Sequence, residues 1–194
     1  MLAALVSLVL SMTACNDFLD REPDKIMTDE QIFSDPVMIK SVLANYYGRV
    51  TWGQHVADWG SFTIIDDARC DGGPDQRSTF EDDLWRVYDY TLVRNINQFL
   101  KGLRETTALT DAEKAPLEGE ARFLRAWYYF NMCRGLGGMP IVGDDIFDYT
   151  PGMDVTSMQY PRSTEAEMYD YIISECQAIA GMMSTNKQTN SARA

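Results

Sequence analysis

The sequence predicts an all-α protein. Apolar residues recur at helical spacing in four stretches, helix-start signals precede them, and no region is rich in strand patterns. The first stretch begins near Thr28, where Thr28 and Gln31 have capping-box spacing. Asp35-Pro36 then supplies a fresh N-cap with proline at the first helical position. Ile39, Val42, Leu43, Tyr46, Tyr47 and Val50 follow on one stripe.

A polar, glycine-containing segment from Thr51 to Thr79 separates this stretch from a second helix, expected from about Phe80 to Glu105. Glu81, Asp82 and Asp83 would sit in its first turn, where the helix dipole favours negative charge. Its apolar face runs through Trp85, Tyr88, Leu92, Ile96, Phe99 and Leu103. Thr110 and Glu113 open the third stretch, with a kink or restart expected at Pro116 and a stop at Gly135. Aromatic and aliphatic residues from Phe123 to Met132 surround that helix, so it should lie buried between neighbours. A long loop from Gly137 leads to the fourth helix, capped by Thr164 and Glu167, with Met168, Ile172, Cys176, Ile179, Ala180 and Met183 on its stripe.

Ahead of the helices lies an uncharged apolar run from Leu2 to Leu10, followed by small residues and Cys15. The run is shorter than the about 20 residues a spanning helix needs. It reads as a signal peptide over 1–14, with Cys15 as the lipid-bearing mature N-terminus, 15–27 as a linker and 28–194 as the helical domain. The alternative is secretion without lipid, in which Cys15 is incidental. No Lys or Arg precedes Arg21, which implies a natural start upstream of Met1 or an atypical signal. The polar tail ends on a helix-start pattern, Asn190 to Ala194, so the chain is expected to continue.

A net charge of −12 excludes nucleic acid as a partner and leaves lipid, not headgroup charge, as the means of membrane attachment. Cys70, Cys133 and Cys176 are too few and too widely spaced for a disulfide framework or a zinc site. His55 is the one histidine. No cofactor and no metal are expected. Asp66, Asp67, Asp71 and Asp75 offer oxygen ligands, but their spacing does not match the EF-hand calcium loop.

Four stretches, in order, resemble a known family. They are Cys15-Asn16-Asp17-Phe18-Leu19-Asp20 with Pro23; Trp85 to Leu100 with Tyr88 and Asn95; Glu120 to Ala126 leading through Tyr129-Phe130 to Gly137-Gly138-Met139-Pro140; and Pro161-Arg162-Ser163-Thr164 with Tyr169. The third is the most specific, being a paired-arginine helix that ends in Gly-x-Pro. Together they are similar to the SusD/RagB nutrient-uptake lipoproteins of the Bacteroidetes outer membrane, of which this chain resembles the N-terminal portion.

The resemblance implies a SusD-like fold of TPR-like helix pairs with long irregular loops, incomplete at its C-terminus. It also implies a lipid-anchored, surface-exposed location on the outer membrane and a SusC-like, TonB-dependent transporter barrel as partner. Asp17 and Asp20 resemble the acidic export signal of such lipoproteins.

Sugars are held by aromatic faces with planar amide, carboxylate or guanidinium partners. The segment from Thr51 to Thr79 supplies them in Trp52, Trp59, Arg69, Asp71, Asp75, Gln76 and Arg77. The competing role for both tryptophans is packing the loop onto the first helix. The resemblance places an aromatic platform late in this loop, yet Cys70 to Ser78 has no aromatic residue. Arg122 and Arg125 stand three apart, with Glu118 one turn before Arg122; they are expected to form ion pairs between helices rather than to bind substrate carboxylates. Asn95 is assigned a structural hydrogen bond.

The function expected is non-catalytic capture of glycans and their transfer to the transporter. A TPR-like scaffold for protein partners is the alternative. A surface glycosidase is a further one, but no nucleophile motif or histidine cluster supports it.

Overall fold

The computed structural model describes residues 27–50 and 89–183. The signal run, Cys15, His55 and every ligand candidate between Trp52 and Arg77 lie outside the described residues. Helix α1 (Asp29–Ser34) starts at Thr28, whose hydroxyl accepts from Gln31 N (3.3 Å) while Gln31 Oε1 accepts from Thr28 N (3.0 Å). Asp35 then turns extended, and its carboxylate takes Val37 N at 2.8 Å, so α2 (Pro36–Arg49) starts anew with proline in its first turn. Ile39, Leu43, Tyr46 and Val50 are buried along one stripe.

Helix α3 (Tyr90–Glu105) is shorter than expected. Asp89 is extended, and its carboxylate caps Thr91 N at 2.8 Å, so no helix runs unbroken from Phe80. An aspartate at this position competes for the first free amides and favours a start over a continuation. Helix α4 (Asp111–Leu136) has 26 residues, about 39 Å at helical rise. Of the kink or restart expected at Pro116, the restart does not occur: the helix continues, because the bond that proline forfeits belongs to Ala112, which is exposed and open to water. It also passes Gly135 and stops at Gly137, where φ is +74° and Gly137 N reaches Cys133 O at 2.7 Å. After a long loop holding one 3₁₀ turn (Thr156–Met158), Thr164 and Glu167 cap α5 (Glu165–Ile179).

Contacts along the helices give the topology. Between α3 and α4 they run from Arg104–Glu118 through Asn97–Arg125 to Tyr90–Tyr129, which is antiparallel. Between α4 and α5 they run from Arg122–Glu175 to Phe130–Tyr169, again antiparallel. Helix α2 covers the other side of the pair: Tyr46 stacks edge-on against Phe99 and bonds Asn95 O, while Tyr47 bonds Glu120. The core is one cluster from Ile39 to Ile172, and no strand occurs among the described residues. Because the helices alternate in direction, the segment 51–88 and the loop 137–164 both leave from the same end of the bundle.

The loop returns against the bundle at Gly138. A Cβ there would collide with the Ser163 backbone, whereas one at Gly48 meets nothing within 4 Å. Gly138→Ala should therefore cost about 1–3 kcal/mol, and Gly48→Ala in α2 should gain about 0.5–1 kcal/mol. Urea unfolding of the two variants would give opposite signs.

Candidate functional site

Arg125 is 2% exposed, although it lies on α4 among apolar neighbours. A buried guanidinium stays charged, so its cost is tolerable only with partners on hand. Nη1 donates to Asn97 Oδ1 (2.6 Å), Gly143 O (2.9 Å) and Asp144 Oδ1 (2.6 Å), and Nη2 to Glu175 Oε2 (3.0 Å). Asn97, itself buried, donates to Gly143 O and Asp145 O. Nε is left without a partner among the described residues, as is the Tyr171 hydroxyl.

The charges around Arg125 close into a ring. Arg104 pairs with Glu118 (2.7 Å) and Asp144 (2.8 Å); Arg122 pairs with Glu175 (2.7 Å) and, at 4.0 Å, with Glu118. Three guanidinia thus alternate with three carboxylates drawn from α3, α4, α5 and the long loop. Burial pushes the Glu175 and Asp144 carboxyls up, but the guanidinium bonds outweigh it and hold both below the usual carboxylate range. Arg94 extends the stitching, donating to Phe147 O (3.1 Å) and pairing with Asp148 (2.9 Å). The loop from Gly143 to Asp148 is therefore laid along α3 by Arg94, Asn97 and Arg104.

Reading the apolar pattern singled out Asn95 and passed over these three. Asn95 is half-buried; with its amide oriented to donate to Thr91 O (3.1 Å), its oxygen accepts from Arg49 Nη1 (2.9 Å). The available signal was the set of polar residues at i, i+3 and i+10 inside an otherwise apolar helix. Arg49 also lies close enough to lower Asp89, whose carboxyl is held down first by its bond to Thr91. Both anchor points of segment 51–88 accordingly sit beside one cation.

A cleft of about 580 Å³ opens on the outer side of α3. Asp29, Glu30 and Phe33 of α1 line it together with Gln98, Lys101 and Glu105 of α3 and Ile146 and Asp148 of the long loop. Phe33 packs on Phe99 at 6.0 Å, and the Thr106 hydroxyl holds its carbonyl at 2.5 Å. Gly102 leaves the room its ring occupies, since a Cβ would overlap it. Among the described residues no group of His, Cys, Asp and Glu could hold a metal, and no helix is long and apolar enough to cross a membrane.

A family model for SusD-like proteins, described as starch-binding and associating with the outer membrane, matches residues 17–193. The chain belongs to the SusD-like family. Its fold is similar to that of a SusD-like protein from Bacteroides fragilis, with a TM-score of 0.57 and 24% identity; the match covers 87% of this chain and 34% of the other. The SusD-like chain described here thus spans about a third of that protein's length. No curated protein matches it significantly.

In this SusD-like bundle, Arg125→Met should lose about 3 kcal/mol, because it takes one of two guanidinium partners from each of Asp144 and Glu175 and leaves the buried Asn97 amide oxygen without its donor. Glu175→Gln should lose less and also alter the acid response. Both carboxyls are depressed in the folded state, so the stability they contribute is complete above about pH 5, beyond both unfolded values, and disappears as pH falls through their folded values. Urea titrations between pH 7 and pH 3 should show a shallower acid slope for Glu175→Gln than for the parent. An unchanged slope would remove the ring from the account of acid stability.

Proposed function

We propose that the full-length protein is a non-catalytic surface lipoprotein that captures glycans and passes them to a TonB-dependent, SusC-like transporter. The match to a family described as starch-binding and associating with the outer membrane carries this reading. Cys15 bears the lipid, and the acidic Asp17 and Asp20 direct the anchor outward. Trp52, Trp59, Arg69, Asp71, Asp75, Gln76 and Arg77 supply stacking faces and hydroxyl partners for the sugar.

The bundle's part is positional. Asn95, Arg122 and Arg125 serve structure, keeping helices and loop in register, so that the segment bearing the tryptophans is pinned at both ends by Val50 and Asp89. A rigid base lowers the ordering cost of binding by a loop.

Affinity electrophoresis of the full-length protein in polysaccharide gels should show retardation, with no product released on prolonged incubation. Trp52→Ala or Trp59→Ala should weaken retention by about tenfold, the loss expected of one aromatic contact. Measured turnover of a retained glycan would refute the non-catalytic reading. For the anchor, Cys15→Ala should move the protein from the membrane to the soluble fraction, and mass spectrometry of the parent should find acyl chains on Cys15. An unmodified mature N-terminus would overturn lipid anchoring.

A further inference from the structure

We infer that the cleft between α1 and α3 is a second saccharide site, selective for neutral sugars; the inference rests on the glycan-capture reading. Helix α3 carries two polar faces with different fates. Arg94, Asn97 and Arg104 are fully engaged in holding the loop. Gln98, Lys101 and Glu105, at i, i+3 and i+7, share the neighbouring face, and none of them makes a hydrogen bond or ion pair among the described residues. They converge instead on the cleft.

The cleft has the parts a pyranose needs. Its volume falls within the about 300–1,000 Å³ typical of small-ligand sites. Phe33 provides a half-buried aromatic surface held in place by Phe99, Gly102 and Thr106. A planar amide, carboxylates and an ammonium surround it, matching the mixed donor and acceptor rim of a sugar. The loop contributes Ile146 and Asp148 to the lining, the latter held by Arg94 at 2.9 Å.

Charge sets the selectivity. Asp29, Glu30 and Glu105 stand against Lys101 alone, Asp148 being neutralised by Arg94. Uronic acids and sulfated sugars meet net repulsion there, whereas hydroxyls find acceptors.

Isothermal titration of the full-length protein with maltoheptaose, xylohexaose, mannohexaose and heptagalacturonate tests the assignment. At least one neutral oligomer should bind, and the double variant Lys101→Ala/Glu105→Ala should bind it at least tenfold more weakly with an unchanged melting curve. Glu105→Gln alone keeps the shape and should weaken binding by a smaller factor. Unchanged affinity in both variants, or tighter binding of heptagalacturonate at a site these variants abolish, overturns the cleft and leaves capture elsewhere intact. A parent protein that retains no saccharide overturns the capture reading and the cleft with it.

Discussion

The architecture depends on one buried cation. Arg125 sits where apolar packing alone would have been cheaper, and its guanidinium demands acceptors from every direction. Those acceptors come from α3, α5 and the loop after α4, elements remote from one another in sequence. Satisfying one side chain therefore fixes the relative position of three segments. The surrounding ring spreads the charge over groups that range from buried to half-exposed, so its strength lies in geometry and mutual dependence more than in the count of ion pairs.

That constraint reaches the candidate sites. Hydrophobic burial can hold helices side by side, but it is non-directional and cannot register a glycine-containing loop. Directional bonds from Asn97 and Arg125 to the Gly143 carbonyl do so, and with Arg94 they set Ile146 and Asp148 against α3. The cleft exists because the loop is held there. The same end-to-end alternation of helices gathers the anchor points of segment 51–88 beside Arg49, close to the start of the long loop.

How much of this was legible follows from the range of the interaction involved. Capping boxes at Thr28, Thr110 and Thr164, and the Asp35-Pro36 break, are local and were readable from spacing. The helix limits at Asp89 and Gly137 were misplaced because several residues nearby carry acceptable signals, and only backbone geometry selects among them. Arg122 and Arg125 were visible as a pair, with two uses open to them. Their acceptors, 50 and more residues away at Glu175, were not visible.

The sequence by itself determined the all-helical class, the order of the helices, their apolar faces and the SusD-like membership, because periodicity, caps and motifs are written along the chain. Tertiary structure alone decided the charge ring, the role of Asn97 and the cleft walled by Phe33 and Glu105. Those features join side chains whose separation in sequence bears no relation to their separation in space, and whose meeting depends on how three helices and a loop satisfy a single buried charge.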